Sequence, residues 1–252
     1  KSNKPERPAS VEGNFYKSES ESSIGPGMND RIKRLRKLSF EAEPSISIER
    51  ALHQTSFYKE NYGKYSIPVF RALTFLDHCK KKTLFLGDDE LIVGERGPMP
   101  KAVPTFPELT CHSIEDFHVL NTRDQQKYHI SQEEIDIYAK EVIPYWQGRT
   151  QRERIFSHVP EEWQRAYEAG LFTEFMEQRA PGHTALDGKI YLKGMLDFKK
   201  EIKAHLDSLD YLRDPEANNK AEQLTAMDIS CDAVIIFAKR HALLAEEKAK
   251  TE

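Results

Sequence analysis

The sequence predicts a mainly α-helical fold with a few short strands. Apolar residues recur every three or four positions over several segments, which is the spacing of one helix face. Two of these segments begin with Ser followed three residues later by an acid, a pattern typical of helix starts. Runs of strand-forming residues are short and few, so the predicted β content is small.

Residues 1–27 are predicted to be a disordered arm, and 28–252 to form the folded part. The arm is rich in Ser, Glu, Lys, Pro and Gly and has too few apolar residues to offset the entropy of ordering. Its sequence fits a leader added for expression and a natural extension equally well. The first predicted helix follows, with Ile32 and Leu38 on its apolar stripe among basic residues, and it stops before Pro44.

The next stretch is predicted to contain two amphipathic helices and a small hairpin. The helices span 47–62 and 67–82, and Pro68 suits the first turn of the second helix. Strand-forming residues then occupy 83–86 and 91–94 on either side of an acidic turn. This arrangement indicates a hairpin or two separate strand pieces.

A stiff connection and two capped helices follow. Four prolines within 97–107 predict an extended segment laid over other structure. Ser113 begins a short helix, and Ser131 begins another that reaches Ile143 and ends at Pro144.

Three further helices are predicted in the C-terminal part of the chain. One starts at Pro160, a second spans 195–209, and the third begins at Asp214-Pro215 and runs toward Lys250. The apolar residues of the last helix spread over more than one stripe, so we expect neighbours to pack against it on several sides. The sequence contains no internal repeat and no Gly-rich phosphate loop.

Composition and charge exclude several classes of protein. The net charge of −4, from 37 basic and 41 acidic residues, gives no positive field for nucleic acid, and no apolar run is long enough to span a bilayer. The scattered residues Cys79, Cys111 and Cys231 match neither a disulfide framework nor a zinc template. We therefore expect a protein of the reducing cytoplasm with no nucleic-acid or membrane partner.

The stretch 172–194 is the strongest candidate for a functional site. It combines titratable groups and aromatics with Pro181-Gly182, which must end any preceding helix and so places Arg179 and His183 around a helix-to-loop corner. Corners on a packed scaffold often carry binding groups. The alternative is a surface turn whose charged groups simply face water.

Two other groups of reactive side chains favour structural interpretations. Cys111 and His112 precede a helix N-terminus, where a thiolate would be favoured, so a Cys-His nucleophile is conceivable. Neighbours in sequence seldom point at each other, which argues against it. Asp88, Asp89 and Glu90 do not share a face, so we predict a solvated turn there and not a metal site.

Several segments, taken in order, carry a resemblance to a known family. They are Ile48-Glu-Arg-Ala51, Asp89-Glu-Leu-Ile-Val-Gly94, Pro107-Glu108, the Gly182-His183 corner with Asp187, and Met227-Asp-Ile-Ser-Cys-Asp-Ala233. Together they resemble the N-terminal part of glycyl radical enzymes of the pyruvate formate-lyase type, from about Met28 onward. Within that family, 175–184 is similar to the members that dehydrate 4-hydroxyproline.

The resemblance implies a ten-stranded α/β barrel surrounded by helices. This chain is expected to supply mainly outer helices and part of the pocket wall. In the family, an activating enzyme with S-adenosylmethionine and an iron-sulfur cluster installs a backbone glycyl radical. That radical oxidises a cysteine to a thiyl, which abstracts hydrogen from the substrate. Neither the glycine motif nor the cysteine motif is present in this sequence. The chain is therefore expected to be an N-terminal fragment that binds no cofactor itself and is inactive alone.

The resemblance also implies a substrate-binding set: Phe175, Arg179, His183 and Asp187. His183 matches a histidine beside the substrate hydroxyl, where imidazole can donate a proton to the leaving oxygen near neutral pH. Phe175 would pack on the substrate ring, and Arg179 would pair with a carboxylate or sulfonate unless it pairs with Glu177 instead. Asp187 matches diol dehydratases but not the hydroxyproline enzymes, so its alternative role is to cap the following turn.

The leading hypothesis is a radical dehydratase of a small hydroxylated amino or carboxylic acid such as 4-hydroxyproline. The alternatives are a C–S lyase of a hydroxysulfonate, another C–C lyase of the same type, and a non-catalytic assembly module. The expected partners of the full-length protein are a small-molecule substrate, the radical-activating enzyme and a second copy in a homodimer. The expected location is the cytoplasm of an anaerobic bacterium, with a microcompartment as an option.

Overall fold

A computed structural model describes residues 29–171 and 186–250 of the chain. Within these ranges the protein is mainly helical with one pair of short strands, which confirms the predicted class. The elements are α1 Asp30–Glu41, β1 Ser45–Ser47, α2 Glu49–Asn61, α3 Ile67–Lys81, β2 Ala102–Pro104, α4 Ile114–Thr122, α5 Gln132–Glu141, α6 Ile143–Trp146, α7 Gln151–Phe156, α8 Glu161–Glu168, a 3-10 helix Asp187–Tyr191, α9 Met195–Asp207 and α10 Ala217–Ala249. The predicted arm lies outside the described residues.

The chain divides into two compact units between Glu41 and Ala42. In the first unit, α1 has no buried residue, as expected for a helix with a solvated basic face. Lys33 pairs with Asp30 at 2.9 Å, one turn away along the helix. Such exposed pairs contribute little to stability, so α1 is held mainly by its own backbone.

The main core of the second unit gathers β1, α2, α4, α5 and α6. Its buried members are Ile46, Ile48, Ala51, Phe117, Ile130, Ile135, Tyr138, Val142 and Trp146. Phe117 of α4 and Tyr138 of α5 meet edge to face, with ring centroids 4.9 Å apart, and both are completely buried. Burying a side chain of this kind stabilises the fold by about 1.5–3 kcal/mol, so the cluster fixes these helices around β1.

The two strands are parallel and bring distant parts of the chain together. Ser45 lies opposite Ala102, and Ser47 lies opposite Pro104. On the other side of β1, His129 donates its N–H to the Pro44 carbonyl. Pro104 has no N–H to donate, which suits the end of a short edge strand. Of the predicted extended segment 97–107, β2 is extended, but the residues just before it form a turn in which Lys101 has a φ of 59° and the Ala102 N–H bonds to the Met99 carbonyl.

The long helix α10 packs along both α3 and α9. Val69 and Ala72 of α3 form a second buried cluster with Ala226. On the α9 side, Lys199 bridges two carboxylates of α10, Asp228 at 2.7 Å and Asp232 at 3.0 Å. The prediction that neighbours pack against the last helix on several sides is thus confirmed for two neighbours, α3 and α9.

The predicted strands over 83–86 and 91–94 are wrong. The segment lies in irregular structure and is held by side chains from distant helices. Lys248 of α10 donates to the Leu86 carbonyl at 2.7 Å and pairs with Asp88 at 2.6 Å. Ile92 is 93% exposed, so the apolar run that resembled a strand is not buried.

The end of α5, the start of α10 and the presence of α7 also differ from the predictions. Helix α5 ends at Glu141, and Pro144 lies in the first turn of the separate helix α6, where its missing N–H costs nothing. Helix α10 begins two residues beyond the predicted Asp214-Pro215 start, because Asp214 accepts from the Glu216 N–H ahead of the first turn. Helix α7 was not predicted, although Thr150 and Glu153 form a capping box like those at the starts of α4 and α5.

Replacing Thr55 by Val is expected to destabilise the fold by about 1–3 kcal/mol. The buried Thr55 hydroxyl accepts a hydrogen bond from Trp146 Nε1 at 2.8 Å and donates one to the Ala51 carbonyl at 2.6 Å. The substitution leaves the indole N–H buried without its acceptor. Urea unfolding monitored by tryptophan fluorescence measures the change.

The matched control for this prediction is Thr122→Val. The Thr122 hydroxyl makes the same type of bond, to the His118 carbonyl at 2.7 Å, but it is exposed and water replaces the lost partner. Equal unfolding midpoints for the two variants would contradict the account of the Thr55 and Trp146 pair.

Candidate functional site

Of the predicted substrate-binding residues, only Asp187 lies within the described part of the chain. Phe175, Arg179 and His183 lie outside the described residues. Asp187 is exposed and is the first residue of the 3-10 helix, so it lies in the turn that its alternative role would cap. Leu186 and Asp187 both have positive φ angles, 66° and 50°. Consecutive left-handed residues other than glycine are costly and are often found at functional positions.

Helix α8 leads into the candidate stretch and ends in a defined stop. Gly170 has a φ of +72°, its N–H bonds to the Tyr167 carbonyl, and the Leu171 N–H bonds back to the Ala166 carbonyl. A glycine in this conformation satisfies the last carbonyls of a helix without steric cost. The end of α8 is therefore defined by Gly170.

An aromatic cluster holds α8 against α7. Phe156 of α7 meets Trp163 and Tyr167 of α8 edge to face, with centroids 5.9 and 5.3 Å apart. Trp163 and Tyr167 stack with their rings 6.0 Å apart. The Arg152 guanidinium lies over the rings of both Phe156 and Tyr167, at 5.0 and 4.9 Å. These contacts make α7 and α8 one positioned pair.

The α7–α8 pair is attached to the rest of the protein through residues 108 and 109. The Gln151 N–H donates to the Glu108 carbonyl at 2.9 Å, and the Arg152 N–H donates to the Leu109 carbonyl at 3.0 Å. These two donors are among the first N–H groups of α7, which have no partner inside the helix. The turn that follows β2 therefore supports the start of α7 directly.

Glu108 is itself anchored to α2 by a charged pair. Its carboxylate accepts from Arg50 Nη2 at 2.5 Å and from Nη1 at 3.1 Å, and both side chains are about four-fifths buried. The same guanidinium lies 4.1 Å from the centre of the Phe106 ring. A two-point pair of this kind fixes both orientation and distance.

A small open cavity lies on the α7–α8 pair. It has a volume of about 340 Å³ and is lined by Arg152, Glu153, Phe156, Tyr167 and Glu168. Burial alone would raise the pKa of Glu153, but hydrogen bonds from Gly148 and Thr150 lower it, so the carboxylate is ionised near neutral pH. The lining thus combines one guanidinium, two carboxylates and two aromatic faces beside the start of the candidate stretch.

The structure favours a packing role for Cys111. Its Sγ lies 3.7 Å from the Tyr138 hydroxyl and 3.8 Å from the His112 carbonyl, and burial raises the pKa of the thiol. Burial also lowers the pKa of His112, whose Nδ1 lies 3.8 Å from an Asp116 oxygen. A thiol with a raised pKa is a poor nucleophile, so the Cys-His hypothesis loses its support.

Comparison with known proteins identifies the family. A family model described as "Pyruvate formate lyase-like" matches residues 28–252. The chain belongs to this family. It is 49% identical over 90% of its length to trans-4-hydroxy-L-proline dehydratase of Clostridioides difficile, and 30% identical over 88% to isethionate sulfite-lyase of Desulfovibrio desulfuricans. It spans only 29% and 28% of those two relatives.

A solved structure supports the same relationship. The crystal structure of hydroxyproline dehydratase from Clostridioides difficile with trans-4-hydroxy-L-proline bound matches 90% of this chain with a TM-score of 0.83 and 49% identity. The match covers 29% of that structure.

Among the described residues, none of the helices combines the length and the apolar character needed to cross a bilayer.

The family segments found in the sequence coincide with contacts between elements. Arg50 lies in the first segment and Glu108 in the third, and these two residues form the buried pair described above. The last segment supplies Asp228 and Asp232, which hold Lys199 of α9. The pairing partners could not be read from the sequence, because they depend on which distant elements pack together.

We expect Gly170→Ala to destabilise the end of α8 by about 1 kcal/mol. A Cβ at Gly170 would meet no atom within 4 Å, so the cost comes only from the positive φ. Gly188 is the matched control, since it also has open space around it but lacks a positive φ. Denaturant unfolding and amide exchange of 166–170 measure the effect, and equal behaviour of Gly170→Ala and Gly188→Ala would contradict it.

Proposed function

We propose that the chain forms the N-terminal part of a glycyl radical dehydratase that acts on a small hydroxylated amino or carboxylic acid, such as 4-hydroxyproline. The observation that carries this proposal is the 49% identity to trans-4-hydroxy-L-proline dehydratase across 90% of the chain. The TM-score of 0.83 to a hydroxyproline dehydratase with its substrate bound supports it. The longer protein would form the ten-stranded α/β barrel, and this chain would contribute outer helices and part of the pocket wall.

The substrate contacts come from the corner after α8. His183 would donate a proton or a strong hydrogen bond to the leaving hydroxyl, so that the hydroxyl can leave as water. Phe175 would pack on the substrate ring, and Arg179 would bind the carboxylate with two parallel hydrogen bonds. Asp187, at the start of the 3-10 helix, would orient a polar group of the substrate or of the corner itself.

The hydrogen-atom chemistry would come from outside these 252 residues. A glycyl radical, installed by an activating enzyme that uses S-adenosylmethionine and an iron-sulfur cluster, would supply the thiyl that abstracts substrate hydrogen. The role of this chain is then to bind and orient the substrate and to manage one proton. We propose a homodimer in the cytoplasm of an anaerobic bacterium for the longer protein, with packaging in a microcompartment as a variant.

A second candidate is cleavage of a C–S bond in a hydroxysulfonate. The 30% identity to isethionate sulfite-lyase over 88% of the chain favours it. For this second candidate, Arg179 would bind the sulfonate, since a guanidinium pairs with a sulfonate as well as with a carboxylate. The two candidates differ in product: dehydration releases water, and C–S cleavage releases sulfite.

The test uses the longer protein that carries this chain, activated under anaerobic conditions. We expect trans-4-hydroxy-L-proline to be dehydrated and isethionate to release no sulfite. His183→Gln should lower kcat by about 10²–10⁴, because a positioned general acid contributes that much. The glycyl radical signal in electron paramagnetic resonance should persist in this variant.

The control variant is His205→Gln, an exposed histidine on α9. It should leave turnover unchanged. Sulfite release without dehydration would replace the first candidate with the second, and full turnover by His183→Gln would remove the assigned role of that residue.

A further inference from the structure

His53 of α2 and His78 of α3 face each other across the contact between their helices. Their Nδ1 atoms are 3.3 Å apart, and their ring centroids are 5.5 Å apart. Neither residue belongs to the candidate stretch or to the turn that supports α7. The pair is therefore a separate group of metal-ligating side chains that the proposed dehydratase does not use.

The distance between the two nitrogens suits two ligands of one tetrahedral metal ion. A zinc–imidazole bond is about 2.0–2.1 Å long, so two such nitrogens at the tetrahedral angle lie about 3.3–3.4 Å apart. In the structure the two Nδ1 atoms share one hydrogen bond, and the tautomers of the rings decide which of them is the donor. A neutral imidazole can carry its proton on Nε2 instead, which leaves both Nδ1 lone pairs available without net loss of a proton.

Both rings are held in the neutral form that binds metals. Burial, together with the nearby charges of His53, Arg50 and Lys82, lowers the pKa of His78 to about 4. Burial is also the main cause of the lowered pKa of His53. Metal binding therefore competes with protonation only in acid.

Glu49 supplies negative charge at this position. It lies one helical turn before His53 on the same face of α2, and it raises the pKa of both histidines, which marks it as an electrostatic neighbour of each. Its Oε1 atom accepts from the Thr83 N–H at 2.9 Å and from the Thr83 hydroxyl at 2.5 Å. These bonds hold the carboxylate at the edge of the pair.

The cations near the pair are already engaged by other partners. Lys81 pairs with Asp77 at 2.9 Å, and Arg50 pairs with Glu108. Lys82 donates to the Glu95 carbonyl. The ion pairs of Lys81 and Arg50 reduce their repulsion of a metal ion, whereas the carbonyl partner of Lys82 leaves its charge uncompensated. Lys82 and Arg50 both still act on His78.

An open cavity gives access to His53. It has a volume of about 370 Å³, and Glu49, His53 and Thr83 are among its lining residues. Within the described ranges, no three His, Cys, Asp or Glu side chains are grouped to hold a metal ion. A metal ion held by the two histidines would therefore take its remaining ligands from water, which can reach His53 through this cavity.

We propose that His53 and His78 form a two-histidine site for a divalent metal ion that prefers imidazole ligands, with zinc as its representative. Water molecules complete the tetrahedron on the cavity side, and Glu49 accepts a hydrogen bond from one of them. The bound ion joins α2 to α3 and stabilises the contact between these helices.

Calorimetric titration of the chain with zinc chloride at pH 7 tests the proposal. We expect one site in the wild type, and an affinity reduced by about tenfold or more in His53→Gln and in His78→Gln. The control His118→Gln, an exposed histidine of α4, should bind as the wild type does. Wild-type affinity in either His53→Gln or His78→Gln would overturn the proposal.

A second measurement needs no substitution and so does not depend on how the variants fold. Imidazole nitrogen resonances of the wild-type chain are recorded during a zinc titration. The Nδ1 signals of His53 and His78 should move together and saturate at one equivalent. Unchanged signals of these two rings at saturating zinc would contradict the site.

Discussion

The buried pair between Arg50 and Glu108 connects the core of the protein to the scaffold of its candidate site. Arg50 is part of α2, whose apolar side packs into the main core. Glu108 is part of the turn that follows β2 and supports the start of α7 through its carbonyl. Removing one partner would leave the other charge largely out of contact with water and unpaired, which destabilises the fold. The pair therefore determines where this turn can lie.

From this pair, a short series of contacts leads to the end of α8, directly before the candidate stretch in the sequence. Residues 108 and 109 hold the N-terminus of α7, the aromatic cluster joins α7 to α8, and Gly170 defines the end of α8. None of these residues is assigned a chemical role in the proposed dehydratase. Their contribution is positional, and in catalysis small errors of position are costly.

Local patterns in the sequence predicted most helices and their capping boxes, because the groups that start a helix lie within one turn of each other. The features that the sequence did not predict depend on contacts with distant parts of the chain. The apolar run at 91–94 resembles a strand, yet it stays exposed, and Lys248 of α10 holds the residues just before it, Leu86 and Asp88. The pairing of Arg50 with Glu108 was likewise invisible, although both residues lie in segments that resemble the family. The roles of Phe175, Arg179 and His183 remain predictions from that resemblance.

A double-mutant cycle on Arg50 and Glu108 tests this account most directly. The free energy of unfolding is measured for the wild type, Arg50→Met, Glu108→Gln and the double variant, with the exposed pair of Lys203 and Asp207 as reference. The account predicts a coupling of about 1–3 kcal/mol for the buried pair and under about 0.5 kcal/mol for the exposed one. Equal, small couplings for both pairs would contradict the claim that the Arg50 and Glu108 pair holds the scaffold in place.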